Sequence, residues 1–368
     1  QVKLLAWTVV QLCKEGIFMV YNLLQKDYDS IALVDDCGYS LTYKELNDFC
    51  SSFYSFINKR TLIFLLVDNS VGGAAGYFSA IENKIVALML DPDMDTVLLE
   101  ELIKEYSPEY LWVPKRKIDQ FKYRIIGEML NFLLLKTDLE SPLMSADLSL
   151  LLSTSGSTGS PKLVRHSYNN IIANASNVSI SFQISKNDRA MASLPLYFTQ
   201  GLSVLSSYIY SGATVILTNY ALTQKEFWEF FKEQKVSIFT GVPYSYEILR
   251  KIRFFRMSLP DLNVLSQGGG RLSDDLFQQI TEYASKNGKK FVATYGATET
   301  TSRMAFLSAD MSSKKCGSIG KSIANGKITL IDDNGLEIRT SNVIGEVVYQ
   351  GENVTLGYAE CKEDLQKD

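Results

Sequence analysis

The stretch Leu151-Leu-Ser-Thr-Ser-Gly-Ser-Thr-Gly-Ser-Pro-Lys162 gives the clearest structural signal in this chain. An apolar run ends abruptly in small hydroxyl residues and two glycines, and Pro161 and Lys162 follow. Small residues let backbone N–H groups and hydroxyls approach an anion closely, and the lysine adds a mobile positive charge. The composition therefore predicts a phosphate-binding loop. The alternative, a flexible Gly/Ser linker, is disfavoured by the apolar entry at residues 150–152 and the Pro-Lys exit.

This loop differs from the phosphate loop of P-loop NTPases. That loop requires G-x-x-x-x-G-K-[ST], whereas Lys162 here follows Ser160 and Pro161. A P-loop NTPase is therefore a disfavoured alternative.

Composition narrows the remaining classes of protein. The chain has 368 residues and a formal net charge of -4 with no basic run, which argues against a nucleic-acid partner. No apolar segment reaches membrane-spanning length. The five cysteines are scattered without a C-x-x-C pair, so we expect idle thiols in a reducing compartment and a cytoplasmic protein.

Two further features, His166 and the N-terminal segment, are expected to have structural roles. His166 is the only histidine, so a Ser-His-Asp triad would have to use it, and we expect it at the surface or in a loop. The segment that begins at Gln1 has a faint resemblance to a signal peptide but lacks a small-residue cleavage site. It fits an amphipathic helix better.

Helical and strand patterns alternate in the first part of the chain. Thr42 and Glu45 form a capping-box pattern before a helix that extends to about residue 58. The apolar runs Thr61–Val67 and Ile85–Leu90 are typical of buried parallel strands, and residues 72–82 between them predict a helix. Residues 1–147 are therefore expected to form one βα subdomain.

A second βα subdomain is expected over residues 148–316. Ser167 is placed to cap the helix after the loop, and Thr223 with Glu226 forms a second capping-box pattern. Residues 317–368 alternate around the Asn334-Gly335 turn, which predicts a small antiparallel, β-barrel-like unit. The fold class is α/β: two βα subdomains with mainly parallel sheets, plus this unit.

Four small-residue loops follow strand-like runs, at 153–162, 241–244, 267–270 and 295–300. Ligands of open parallel sheets bind at the carboxyl ends of strands. In the last of these loops, Thr298 and Glu299 suit Mg²⁺ and a phosphate oxygen, because hard cations take oxygen ligands. Tyr295 offers a flat face for a base, although a core tyrosine is the simpler interpretation.

The order of these motifs resembles that of the adenylate-forming superfamily, which includes acyl-CoA and aryl-CoA synthetases, luciferases and peptide-synthetase adenylation domains. The loop at 153–162 is similar to its signature loop, and Tyr295-Gly-Ala-Thr-Glu299 to its Tyr-Gly-x-Thr-Glu motif. Thr42–Leu46 and the segment from Gly345 to Tyr358 match further motifs, so the resemblance covers nearly the whole chain.

The resemblance implies an ATP-dependent, AMP-forming carboxylate ligase that uses Mg²⁺. It implies Glu299 as the Mg²⁺ ligand and Thr298, Glu299 and Lys162 as catalytic residues. The implied ATP-binding residues are Thr154, Ser155, Gly156, Ser157, Thr158, Gly159, Lys162, Gly268, Gly269, Gly270, Tyr295, Gly296, Ala297 and Thr298.

A mostly apolar pocket for a small carboxylic acid is implied by the segment Leu194–Gly201. Phe198 replaces a frequent histidine, and Thr199 stands where amino-acid-activating relatives place an Asp, so a standard α-amino acid is disfavoured. The acid itself, whether fatty, aryl or another small carboxylate, stays open. The implied pocket residues are Tyr197, Phe198, Thr199, Gly201, Val242 and Tyr244.

The resemblance also implies an acceptor and a further domain. In most relatives a thiol, from CoA or from the phosphopantetheine of an acyl-carrier protein, displaces AMP. The family continues beyond the Gly-Tyr pair to a small domain with a catalytic lysine, and this chain ends at Asp368 before it. We therefore expect the large N-terminal part of a longer enzyme. The alternative is a non-catalytic nucleotide-binding module that naturally ends here.

Overall fold

Two large β-sheets and one small sheet organise the chain. The computed structural model describes residues 2–5, 20–153 and 162–367. The strands are β1 (Val2–Leu5), β2 (Ile31–Asp35), β3 (Ser40–Thr42), β4 (Leu62–Leu66), β5 (Val86–Leu90), β6 (Tyr110–Pro114), β7 (Arg124–Met129), β8 (Phe132–Lys136), β9 (Leu148–Ser153), β10 (Leu163–Ser167), β11 (Arg189–Ala192), β12 (Thr214–Leu217), β13 (Ile238–Gly241), β14 (Val264–Gln267), β15 (Lys290–Tyr295), β16 (Ala305–Leu307), β17 (Lys321–Ser322), β18 (Lys327–Ile331), β19 (Glu346–Gln350) and β20 (Tyr358–Ala359).

Helices cover both faces of the large sheets. They are α1 (Tyr43–Ile57), α2 (Val71–Glu82), α3 (Thr96–Tyr106), α4 (Tyr168–Phe182), α5 (Thr199–Tyr210), α6 (Lys225–Glu233), α7 (Pro243–Lys251), α8 (Asp274–Lys286) and α9 (Ala309–Ser312). Among the described residues, none of these helices has the length and apolar character needed to cross a membrane.

Sheet order places strands from distant parts of the chain side by side. The eight-stranded sheet has the order β20-β10-β9-β5-β4-β6-β8-β7, and its centre, β9 to β6, is parallel. The nine-stranded sheet has the order β17-β16-β15-β14-β13-β11-β12-β2-β3 and is parallel from β15 to β2. The α/β class with mainly parallel central strands is therefore confirmed.

The two large sheets share strands from both sides of residue 147. β2 and β3 join the nine-stranded sheet, whereas β9 and β10 join the eight-stranded one. Sheet membership does not by itself define folding units, so the ranges 1–147, 148–316 and 317–368 stay a prediction.

Five layers result from the way the strands alternate. In β4, Ile63 and Leu65 face a core that α1, α2, α4 and α5 fill between the sheets, whereas Phe64 faces the core under α3. In β11, Ala190 faces the same central core and Met191 faces the outer core that contains residues of α6, α7 and α8. Because successive side chains of a strand point to opposite faces, strands buried on both faces are apolar throughout.

The observed N-termini of the helices can be compared with the predicted capping boxes. The Thr42 hydroxyl accepts from the Glu45 N–H and the Glu45 carboxylate from the Thr42 N–H, which confirms the first capping box. Ser167 caps α4 as predicted. The box at Thr223 was wrong. Helix α6 begins at Lys225 after Gln224, because the Gln224 side chain instead accepts from the N–H of Ala221 and closes a turn there.

The small C-terminal unit is an open sheet. β18 and β19 pair antiparallel, as the alternating pattern predicts, and β1 adds parallel to β19. These three strands form a sheet rather than a closed barrel. The helix expected at the N-terminus lies mostly outside the described residues, and Val2–Leu5 form a strand instead.

Candidate functional site

Three of the predicted loops meet at one edge of the nine-stranded sheet. Gly241 at the end of β13 lies opposite Gln267, and Gln267 at the end of β14 lies opposite Ala293 in β15. The segments after these strands are therefore neighbours, as expected for the carboxyl edge of a parallel sheet.

The loop after β14 needs glycine for packing and for backbone conformation. A Cβ at Gly268 would overlap the Thr294 hydroxyl and the Gln200 amide, and Gly269 has φ +75°. The Gln267 amide donates to the carbonyl oxygens of Gly268 and Gly270, at 3.1 and 2.7 Å. The loop thus exposes backbone in a fixed shape, which suits close approach of a flat ligand.

The loop after β15 is a tight turn that presents the candidate catalytic pair. A Cβ at Gly296 would overlap the carbonyl oxygen of Ser302, so the two sides of the turn touch through their backbones. A short 3₁₀ turn, Thr298–Thr300, follows, and both Thr298 and Glu299 are half-buried. Tyr295 packs partly against the small core of Met304, Tyr349 and Val354.

Glu299 is held by the segment that leads into β20. The Thr355 N–H donates to the Glu299 carbonyl oxygen at 3.1 Å, and the Tyr358 hydroxyl donates to Glu299 Oε1 at 2.7 Å. The hydrogen bond to this carboxylate, together with desolvation, raises the pKa of Tyr358 to about 12. Tyr358 thus orients one oxygen of the Glu299 carboxylate, Oε1.

Lys162 lies beside the same tyrosine. Its Nζ is 2.6 Å from Glu360 Oε1 and 6.0 Å from the centroid of the Tyr358 ring, and the lysine side chain is 57% exposed. An exposed ion pair of this kind is weak and exchanges readily for a phosphate. Lys162 and Glu299 therefore both lie next to Tyr358, although 137 positions separate them in the sequence.

The phosphate-binding loop itself lies outside the described residues, and only its two ends are seen. β9 and β10 pair antiparallel, with Ser153 opposite Leu163, so the loop connects two adjacent strand ends next to Lys162. The predicted ATP-binding residues that the structure does not describe are Thr154, Ser155, Gly156, Ser157, Thr158 and Gly159. Their phosphate-binding role stays a prediction.

The six residues predicted to form the acid pocket do not line one cavity. Thr199 lines a buried cavity of about 20 Å³ between α4 and α5, and Tyr197 lines a separate cleft of about 900 Å³. Phe198 and Tyr244 are 42% and 72% exposed. Val242 packs beside Gly269, and neither it nor Gly201 lines these two spaces.

The large cleft opens at the carboxyl ends of strands from both sheets. Asp68 and Asp91, which follow β4 and β5, face Thr218 and Ser193 from the other sheet. The Tyr197 hydroxyl donates to Asp91 Oδ2 at 2.8 Å, and burial and this carboxylate raise the pKa of Tyr197. Tyr197 is the single predicted site residue among those lining this cleft.

The expected surface position of His166 was wrong. His166 is fully buried in β10, and desolvation lowers the pKa of its imidazole to about 3. Its Nδ1 is 3.2 Å from the Thr301 hydroxyl, so it joins the eight-stranded sheet to the turn that carries Glu299. Both faces of β10 are covered, which the sequence around a polar histidine did not indicate.

Several site residues were missed. Tyr358 contacts Glu299, and Glu360 forms an ion pair with Lys162. The Gly357-Tyr358 pair, which belongs to the family resemblance, was the sequence feature that could have pointed to them. Asn353 is fully buried, and its amide donates to the carbonyl oxygens of Thr300 and Arg303 at 2.7 and 3.1 Å. The sequence marks Asn353 only as the start of an Asn-Val-Thr sequon, which does not indicate a place in this site.

The layered sheets and the small-residue loops at a carboxyl edge define an α/β protein with a candidate ligand site at that edge. The model of the AMP-binding enzyme family matches residues 22–359, so the chain belongs to that family.

Curated relatives are CoA ligases. The chain is 27% identical over 278 residues to the 2-succinylbenzoate–CoA ligase of Oceanobacillus iheyensis, which covers 75% of this chain and 54% of the relative. It is 26% identical over 217 residues to the oxalate–CoA ligase of Saccharomyces cerevisiae, which covers 58% of the chain and 38% of the relative. The chain thus spans about half the length, or less, of these relatives.

A solved structure shows the same fold. The O-succinylbenzoate coenzyme A synthetase of Bacillus subtilis, in complex with AMP, superposes with a TM-score of 0.75. It shares 22% sequence identity, and the match covers 92% of this chain and 70% of that one. This likeness supports the assignment of the fold.

Proposed function

We propose that this chain binds ATP with Mg²⁺ and a small carboxylic acid and forms an acyl-adenylate, as part of an AMP-forming acid–thiol ligase. The observation that carries the proposal is the meeting of Glu299, Tyr358 and Lys162, the last of which directly follows the predicted phosphate loop in the sequence. A carboxylate and a cation held on two different sheets suit a Mg²⁺-nucleotide between them. Family membership and the names of the relatives support the same reaction, and they do not favour a non-catalytic module.

The reaction brings two anions together. An oxygen of the acid forms a bond to the α-phosphorus, the bond between that phosphorus and the bridging oxygen to the β-phosphate breaks, and pyrophosphate leaves with the electron pair. Lys162 and the backbone N–H groups of the loop stabilise the charge that grows on pyrophosphate. Thr298 donates to an α-phosphate oxygen, and residues 268–270 with Tyr295–Ala297 line the adenine.

Glu299 fits a Mg²⁺ ligand by its surroundings. It is half-buried at the edge of the site, one of its oxygens is oriented by Tyr358, and the other is left for a cation. Mg²⁺ is commonly held by one or two carboxylates plus substrate phosphates. When bound, the ion would offset phosphate charge.

The acid would enter between α5 and the loops after β13 and β14, where Phe198, Thr199, Gly201, Val242 and Tyr244 lie. We further propose that a thiol, from CoA or from a carrier protein's phosphopantetheine, takes the acyl group, as the names of the relatives suggest. A cytoplasmic location and the three folding units 1–147, 148–316 and 317–368 complete the proposal. These rest on cysteine spacing and sequence patterning.

The test is acid-dependent ATP–pyrophosphate exchange by the full-length protein across a panel of aliphatic and aromatic acids. Glu299→Ala should lower exchange at least about 100-fold, the usual cost of removing one electrostatic stabiliser. Glu229→Ala, an exposed carboxylate of α6 paired with Lys225, is the matched control and should leave exchange unchanged. Full exchange in the Glu299 variant would refute its role, and no exchange with any acid would refute the function.

A further inference from the structure

Arg303 is a buried cation with no charged partner among the described residues. It is 1% exposed, and its Nε and Nη1 atoms have no hydrogen-bond partner within the described part of the chain. Burial lowers the pKa of its guanidinium to about 10, so it still carries its charge at neutral pH. Removing an ion from water without a partner is costly, so such a residue is retained for something other than stability.

The residues that the structure describes around Arg303 do not neutralise the charge of its guanidinium. The guanidinium carbon is 5.0 Å from the centroid of the Phe182 ring at the end of α4, and it interacts electrostatically with Tyr208 of α5. Burial raises the pKa of Tyr208, so this phenol stays neutral. The guanidinium therefore lies between α4 and α5 beside an aromatic face and a neutral hydroxyl.

The same two helices enclose polar donors. The cavity of about 20 Å³ is lined by Asn174 from α4 and by Ser203 and Ser206 from α5. Asn174 is 3% exposed, its Oδ1 accepts from the Ser203 hydroxyl at 3.3 Å, and its Nδ2 has no partner among the described residues. The cavity holds one water-sized group, such as a carboxylate oxygen, and offers it an N–H donor.

The turn that joins Glu299 to Arg303 links this region to the catalytic edge. Thr301 also lines the cavity, and Thr301 and Ser302 have φ of 52° and 104°, conformations that cost energy for residues other than glycine. The Asn353 amide, not the guanidinium, fixes the backbone of Arg303 by donating to its carbonyl oxygen. The backbone at Arg303 is thus held without the guanidinium, and Arg303 itself is not among the residues that line the cavity.

We propose that Arg303, two residues after the Thr301 that lines this cavity, recognises a second carboxylate on the substrate, so that the acid is a dicarboxylate activated at one end only. This inference rests on the proposed function. A guanidinium binds a carboxylate through two parallel N–H donors, which a hydroxyl or an apolar end of an acid cannot match. The reacting carboxylate lies at the Glu299 edge, and the other stays unreacted between α4 and α5.

The test compares each dicarboxylate with its own monomethyl ester. Succinate, glutarate, adipate, suberate and phthalate, each with its ester, are assayed by thermal shift and by pyrophosphate exchange. At least one dicarboxylate should be preferred over its ester by about 100-fold, as expected when a buried charge pair loses one partner. Arg303→Met should abolish this preference, and Arg303→Lys should retain part of it.

Two controls separate recognition from a structural role. Arg303→Met should keep or raise the melting temperature of the ligand-free chain, because it removes an uncompensated buried charge and keeps a side chain of similar length. Arg271→Met, at a 74% exposed arginine, should change neither preference nor stability. A preference below tenfold for every pair, or one that Arg303→Met leaves intact, overturns the inference.

The outcomes also separate this inference from the proposed function. Exchange with monocarboxylates but no dicarboxylate preference refutes the inference and leaves acyl-adenylate formation standing. Dicarboxylate-specific stabilisation that Arg303→Met abolishes, without exchange for any acid, supports the second carboxylate site and refutes the function.

Discussion

Two titratable groups, the fully buried His166 and the half-buried Glu82, should give opposite pH dependences that cancel in the wild-type chain. Glu82, at the end of α2, accepts from the N–H groups of Val20 and Tyr21 at 3.0 and 2.7 Å. Desolvation raises the pKa of Glu82 to about 7, from an ordinary value of 4.5, despite these hydrogen bonds. Desolvation lowers the pKa of His166 from 6.5 to about 3.

The signs follow from proton linkage. His166 is neutral when folded and takes up a proton below pH 6.5 only when unfolded, so its contribution to stability is lost as pH falls from 6.5 toward 3. Glu82 keeps its proton when folded up to pH 7 but loses it above 4.5 when unfolded, so its contribution is lost as pH rises from 4.5 to 7. Between pH 4.5 and 6.5 the two slopes oppose each other.

The magnitude is large relative to a typical stability. Each slope is about 1.4 kcal/mol per pH unit, or about 2.7 kcal/mol over these two units. Relative to wild type, Glu82→Gln should therefore gain about 2.7 kcal/mol in unfolding free energy from pH 4.5 to 6.5. His166→Gln should lose about as much over the same range. Glutamine at 82 keeps one acceptor oxygen, and the hydrogen bond that it loses lowers stability equally at every pH, so the slope still reports the titration.

The assay is urea unfolding at pH 4.5, 5.5 and 6.5 and constant ionic strength. Coincident transitions by fluorescence and circular dichroism would establish a single transition. Glu229→Gln, at an exposed carboxylate of α6, controls for a change of charge alone. Slopes of the same sign in the two variants, or curves parallel to wild type in both, would refute the reasoning.

Further predictions concern the candidate site. Tyr358→Phe frees Glu299 Oε1 and should alter the Mg²⁺ concentration needed for half-maximal exchange. The urea midpoint should shift little, because the pair is partly exposed. An unchanged Mg²⁺ dependence would count against the orienting role of Tyr358. Gly296→Ala forces a Cβ into the Ser302 carbonyl oxygen and should cost about 2 kcal/mol or more in urea unfolding, whereas Gly288→Ala, where a Cβ has open space, strains only the backbone. Lys162→Ala should weaken ATP binding in a titration followed by thermal shift and reduce its salt dependence; unchanged binding would remove Lys162 from the site.

Much of the fold was readable because its signals are local. The box of Thr42 and Glu45 satisfies donors within three residues, and the apolar runs at β4 and β5 report burial on both faces of a strand. The box at Thr223 failed for a related reason. A turn at Ala221–Gln224 forms in its place: the Ala221 N–H donates to the Gln224 side chain, and the Gln224 N–H donates to the Ala221 carbonyl oxygen.

Sequence by itself determined the α/β class and the place of the small-residue turn that carries Glu299, because small residues and strand ends are visible without contacts. Tertiary structure alone decided that Tyr358 orients Glu299 and that His166 and Arg303 are buried. These contacts join residues that are far apart in the chain and lie on different sheets. The cost of burying a charge or the gain from a hydrogen bond is fixed by the packed surroundings, which no local pattern specifies.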